Sequence, residues 1–185
     1  MNIHCIGNIA YWHGVVSDTD HKHYVHHTFQ KQSELSQYEI LTANGRLKLS
    51  VPTQKSTRKG PYSDVLIDYN TNWQTEHWRS IENAYLKSPF FLYYGYKIET
   101  IYKTHYDTLL RFNMALFATV ADCLKLKTTF ITDHTTPSKC VPTPPRVCTA
   151  YPQVFDDRVA FQQNLSVLDL IFNLGPEASD YLVSL

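Results

Sequence analysis

Apolar and polar positions alternate over much of the first seventy residues, and from Asn72 onward they recur every three or four, dividing the chain into a strand-bearing half and a helix-bearing half. Residues 1–7 have the composition of a short buried strand, and His21–Thr28 (HKHYVHHT) carries the aromatic and β-branched content of another. The sharpest local signal is YEILTANGRLKLSVP, two alternating runs joined by Asn44-Gly45, the dipeptide that a tight primed hairpin turn favours. QKSTRKGPYS reads as a polar linker. In the SDVLIDY that follows, Val65, Ile67 and Tyr69 alternate with Leu66 and Asp68 as in a mostly buried strand. These segments predict a mixed sheet of four or five strands.

In NWQTEHWRSIENAYLKSPFF the period changes. Trp73, His77, Trp78, Ile81, Ala84 and Tyr85 fall on one broad helical side and Glu76, Arg79, Glu82, Asn83 and Lys87 on the other, with Ser88-Pro89 ending the helix. A second helix is predicted over Tyr106–Leu124, with Asn113 inside its apolar stripe. TTFITDH is a short β-like run. Thr136–Pro152 holds five of the nine prolines and reads as an irregular surface segment, placed as a flap over the site. Asn164 or Ser166 caps LSVLDLIFNL, Gly175 terminates it, and Pro176 starts a last short helix. The expected class is α/β or α+β: one domain over 1–185, its mixed sheet formed mainly by the N-terminal half and packed by helices mainly from the C-terminal half.

Composition narrows the function classes. A hydrophobic content of 43% supplies a sizeable core, and 17 basic residues balance 17 acidic ones, so no net field draws the protein to nucleic acid or anionic lipid. No cationic leader precedes the first apolar residues and no run approaches the roughly 20 apolar residues of a membrane span, so the expected location is cytoplasmic. Cys5, Cys123, Cys140 and Cys148 include no C-x-x-C pair and read as reduced thiols.

Few residues suggest chemistry. His21, His23 and His27 can share one strand face, and His21-x-His23 has a spacing that can chelate a metal if a carboxylate joins them, but no third ligand is identifiable and a polar strand face is the preferred reading; no metal is expected. His77, between Trp73, Trp78 and Tyr85, is either a satisfied core histidine or a pocket-lining base with a lowered pKa. Arg79 projects to the opposite side, toward solvent or Glu76 and Glu82. Asn113, Asp169 and Asn173 are buried-polar candidates that more often fix packing than chemistry. No nucleophile elbow, phosphate loop, dinucleotide fingerprint or zincin motif occurs, and no cofactor is indicated.

Several longer segments are more specific: IGNIAYW, QKQS, ANGRLKLSVP, SDVLIDYNTNWQTEHWRSIENAYLKSPFFLYY, YPQVF and NLSVLDLIFNLGPEASDYL, in this order over nearly the whole chain. In these the chain resembles the WbqC-like protein family, most of all its Bacteroidetes-type members. The resemblance implies a role beside the enzymes of bacterial O-antigen synthesis: glycyl or other aminoacyl or acyl transfer to an amino sugar, with a nucleotide-linked amino sugar and an aminoacyl or acyl donor as partners. Two departures stand out. CIGNIAYW lacks the histidine and both prolines of the His-Gln-Pro-x-Tyr-Leu-Pro-Trp-like start of many relatives. ELSQ stands where relatives carry a Tyr-Arg-Asn-Arg-like stretch, which removes two arginines from any anion site.

The matching positions that can face a ligand are Tyr11, Gln30, Lys31, Gln32, His77, Arg79, Tyr85 and Asn164. For a transferase, His77 is the expected base, with Lys31, Gln32 or Arg79 as donors to the developing oxyanion, and Tyr11, Gln30, Gln32, Tyr85 and Asn164 as substrate-binding residues. Lys31 and Gln32 are expected to converge on His77. The rival class is a noncatalytic sugar-binding or assembly protein of the same pathway.

Overall fold

A computed structural model describes residues 2–17, 22–24, 28–126, 131–133 and 148–185. His21, His27, Cys140 and the 136–147 part of the proline-rich segment lie outside the described residues. The hairpin forms from β2 (Gln37–Thr42) and β3 (Gly45–Ser50), in antiparallel register from Thr42↔Gly45 to Gln37↔Ser50. Its turn differs from the predicted primed type. Within the hairpin only Gly45 has positive φ, 96°, so Ala43-Asn44 turn in ordinary conformations and glycine takes the bulge position.

Strands β1 (Lys22–Tyr24) and β4 (Ile131–Asp133) pair in parallel. The expected class holds, with strands mainly in the N-terminal half and helices mainly in the C-terminal half. The expected sheet of four or five strands is, among the described residues, two separate two-stranded pieces. Two segments with strand-like composition explain the difference. Residues 2–7 are buried but irregular, because Ile6 (φ 62°) and Gly7 (φ 79°) turn the chain sharply. Residues 65–67 make single bridges, Thr53↔Ile67 and Leu66↔Thr108, in place of a ladder.

Among the described residues six α-helices supply most of the core: α1 (Ile9–Ser17), α2 (Trp73–Tyr85), α3 (Phe91–Lys103), α4 (Leu109–Cys123), α5 (Val167–Leu174) and α6 (Ala178–Ser184). None among the described residues is long and apolar enough to cross a membrane. In α2 the buried residues are the expected Trp73, His77, Ile81, Ala84 and Tyr85, which lie against β2 and α3. Helix α4 buries Leu109, Phe112, Leu116, Phe117 and Val120. Phe117 stacks on Trp12 of α1 at 4.7 Å, and Phe112 meets Trp73 edge-on at 5.4 Å. Full burial contributes roughly 1.5–3 kcal/mol per large apolar side chain, so these contacts join the two halves of the chain.

Helix ends follow local chemistry. Gly175 ends α5 at φ 56°, and a Cβ there would lie 2.4 Å from the Phe90 ring, so both backbone and space require glycine. Ser166 occupies the N-cap of α5 without a side-chain cap bond. Thr108 caps α4 by accepting from the Arg111 N–H at 3.3 Å. Thr108→Ala is expected to lower stability by about 1 kcal/mol, read as a lower urea midpoint at unchanged slope.

Candidate functional site

A cavity of about 600 Å³ opens between the buried N-terminal segment, the turn at 30–37, the β2–β3 face carrying Glu39, Arg46 and Lys48, and the approach to α5 at Asn164 and Ser166. Its walls are fixed by backbone bonds. Cys5 N–H donates to Glu34 C=O at 2.8 Å, Val167 N–H to Gly7 C=O at 3.0 Å, and Ser166 N–H to Glu39 C=O at 2.9 Å. Gly7 has no room for a side chain, since a Cβ would lie 2.4 Å from the Tyr11 ring.

Beneath the cavity the fully buried Asn113 of α4 donates to Leu35 C=O at 2.7 Å and to the Tyr62 hydroxyl at 2.6 Å, and that hydroxyl donates to Ile3 C=O at 2.9 Å. One buried amide thereby ties both walls to the same helix, the packing role expected of it.

The opposite wall is held by Asp169. Its Oδ2 accepts from Tyr151 Oη at 2.5 Å and Gln153 Nε2 at 2.8 Å. Gln153 also exchanges hydrogen bonds with the Gln162 backbone, at 2.9 and 3.0 Å. Arg46 then reaches across from β3 to Gln162 Oε1 at 2.9 Å, the Gln163 carbonyl at 2.6 Å and Glu39 at 3.0 Å. YPQVF and NLSVLDL therefore act together in placing Asn164 and Ser166.

The lining is rich in amides: Asn2, Asn8, Gln30, Gln32, Gln37 and Asn164. Each side-chain amide can donate and accept, which matches a ligand carrying many hydroxyls. Among them stands the carboxylate of Glu34, whose side chain is about half exposed. Asn8 Nδ2 donates to its Oε1 at 2.8 Å, and His4 Nδ1 lies 3.3 Å from its Oε2, with the His4 ring stacked on Tyr11 at 4.2 Å. Partial burial raises the Glu34 pKa above the usual carboxylate value, against a smaller opposing effect of the Asn8 bond. Such a shift moves a carboxylate toward the range of a general base. Cys5 also lines the cavity, but burial pushes its thiol far up, so it is no thiolate nucleophile.

A second cavity of about 320 Å³ adjoins the first, sharing Gln32 and Gln37 as the partition. Gln32 is held at φ 56°, a conformation that L side chains seldom adopt, so the QKQ turn presents Gln30 to the larger cavity, Lys31 to the smaller one and Gln32 to both.

The residues expected at a site separate into three groups. Gln30, Gln32 and Asn164 line the larger cavity and Lys31 the smaller. Asn164, at φ 53°, also accepts from Ala10 N–H at 2.9 Å, so it caps α1 and not the helix that follows it. Tyr11 is fully buried behind His4, and the buried Tyr85 accepts from Leu41 N–H at 3.1 Å. His77 is buried one layer behind the cavity wall: Tyr38, which lines the cavity, bonds its Nδ1 at 3.0 Å, and Trp73 and Tyr102 pack on the ring. Lys31 and Gln32 line cavities that His77 does not. Arg79 is exposed on the far side of α2.

His4, Asn8 and Glu34 escaped the reading of the sequence. Glu34 belongs to the ELSQ departure, which was the available signal, and His4 directly precedes CIGNIAYW. Among the described residues no group of three or more His, Cys, Asp or Glu side chains is placed to hold a metal.

Residues 10–141 match the model of the WbqC-like protein family. No curated protein matches the chain, and neither does any solved structure.

Proposed function

Because the chain belongs to the WbqC-like protein family, we propose that it transfers a glycyl, other aminoacyl or acyl group to the amine of an amino sugar used in bacterial surface-polysaccharide synthesis, with the acceptor in the larger cavity. The observation that carries this reading is the position of Glu34, a carboxylate with raised pKa held by Asn8 and His4 in an amide-lined cavity of about 600 Å³. The amides suit sugar hydroxyls, and a carboxylate among them selects a hydroxyl replaced by an amine.

In the transfer, the sugar nitrogen attacks the donor's carbonyl carbon. The new N–C bond forms, the bond to the donor's leaving group breaks, and Glu34 takes up the amine proton. His77 enters only through Tyr38, as support for the wall.

The test is saturation-transfer NMR with glucosamine and glucose, followed by mass spectrometry of glucosamine incubated with glycyl-tRNA. Glucosamine is expected to bind about tenfold more tightly than glucose through the charge-assisted contact, Glu34→Gln to erase that preference, and the sugar to gain one glycyl mass. Equal saturation of both sugars would overturn the site. Amine-selective binding without acyl gain from any aminoacyl or acyl donor would favour the noncatalytic sugar-binding reading.

A further inference from the structure

The smaller cavity has a chemistry unlike its neighbour's. Its lining contains two cations, Lys31 and Arg58, and no acidic residue, together with Ser36, Ser50, Thr53 and the partition amides. Arg58 is half-buried, and its guanidinium is clamped to one residue, Nε donating to Thr53 Oγ1 at 2.9 Å and a terminal nitrogen to Thr53 C=O at 2.5 Å. Thr53 is itself buried, so the cation is held in a fixed orientation. Among the described residues neither Arg58 nor Lys31 forms an ion pair, whereas Arg46 and Arg158 each meet a carboxylate. A partly desolvated guanidinium fixed on neutral oxygens, with several N–H donors left over and a second cation in the same cavity, is matched by an oxyanion presenting several acceptors.

We infer that the smaller cavity is a phosphoryl-binding subsite, in which Arg58 and Lys31 hold an anionic phosphate carried by a molecule whose other end occupies the larger cavity. The inference rests on the proposed function for what fills the larger cavity, but the anion site stands on Lys31, Arg58 and Thr53 alone. Its positive charge comes from the QKQ turn, through Lys31, and from the 53–58 segment, through Arg58. The shared partition gives the subsite its meaning: Gln32 and Gln37 touch both cavities, so a phosphorylated amino sugar or an acyl phosphate can lie across them with its phosphate in the smaller cavity and its other end in the larger.

Calorimetry on the full chain tests this with four probes: inorganic phosphate, glucosamine, glucosamine 1-phosphate, and acetyl phosphate added with glucosamine. Glucosamine 1-phosphate is expected to bind about tenfold more tightly than glucosamine if the phosphate belongs to the acceptor, and acetyl phosphate to bind with similar help from the cavity if it belongs to the donor. Either gain should fall to within about twofold in Lys31→Gln, which alters an exposed side chain, and in Arg58→Gln, while Arg58→Lys retains part of it. Phosphate binding that depends on these two residues with no glucosamine binding supports the anion subsite and sinks the amino-sugar reading. Glucosamine binding with no gain from phosphate, or a gain unchanged in both Gln variants, overturns the subsite and leaves the amino-sugar reading standing.

Discussion

Asp169→Ala is expected to destabilise the protein by about 3–5 kcal/mol, the range for breaking a buried polar network at one partner, while Asp169→Asn is expected to remain within about 1 kcal/mol of the parent at neutral pH. Asp169 is fully buried, and its Oδ2 receives both the Tyr151 hydroxyl and the Gln153 amide. Alanine removes the acceptor of the buried Tyr151 hydroxyl and of one of the two Gln153 N–H groups, the other keeping the Gln162 carbonyl. Asparagine keeps one oxygen for both donors, and its NH2 takes the place of Oδ1, which receives no hydrogen bond in the native structure. The two variants also differ in pH dependence. Burial raises the Asp169 pKa, against the opposing hydrogen bonds of Tyr151 and Gln153. The native state therefore binds this proton more readily than the unfolded chain does. The resulting stability is complete below the ordinary carboxylate value of 3.8 and is lost as pH rises through the folded value. Asp169→Asn lacks this loss, so its urea midpoint should gain on the parent's as pH is raised. A variant that falls behind instead would mean that the native state holds the ionised form.

The same residues show what the sequence makes legible. A two-residue turn signal and an alternation broken only at the buried pair Ile40-Leu41 of β2 mark the hairpin, and a register slip would turn the wholly buried Ile40 outward. Helices α2 and α4 bury one stripe each, so their period survives in the residue order. Helix α3 does not stand out, because FLYYGYKIETIYK has an aromatic and β-branched composition, a glycine in its middle, and an outer face with Leu92, Tyr93 and Tyr96 exposed. Helix α1 is hidden for the opposite reason: Ile9, Ala10, Tyr11, Trp12, His13 and Val15 are all buried, which leaves little polar face to give a period.

The site divides in a similar way. Gln30, Gln32 and Asn164 are reached through segments shared with the family, and positive φ at Gln32 and Asn164 gives those two a geometric reason to be special. His4 and Glu34 stand thirty positions apart in unrelated segments, brought together by the backbone bond from Cys5 to Glu34 and the Asn8 side-chain bond to Glu34. No spacing rule anticipates that meeting.

The histidine that the sequence marks most strongly has its largest expected effect on acid stability. Burial holds the His77 pKa down at about 4, against an ordinary 6.5, with a lesser opposing effect of the Ser50 backbone. A neutral ring bonded toward Ser50 through one nitrogen must accept at Nδ1. Tyr38 then donates to His77 at 3.0 Å and receives the Tyr102 hydroxyl at 2.6 Å. Protonating Nδ1 turns that acceptor into a donor facing a donor and reverses the chain of hydroxyls. The unfolded chain binds this proton more readily, so the stability from His77 is complete above pH 6.5 and is lost as pH falls toward about 4. A shift of this size corresponds to about 3 kcal/mol. His77→Gln keeps an acceptor for Tyr38 and carries no titrating group. It is expected to be about 1 kcal/mol less stable than the parent at pH 7.5, where one buried hydrogen bond is imperfectly replaced, and more stable than the parent near pH 4.5. Urea midpoints at the two pH values decide the matter, since Asp169 and Glu34 contribute equally to parent and variant and cancel in the difference. Difference curves that run parallel over this interval would show that His77 is not held neutral in the fold.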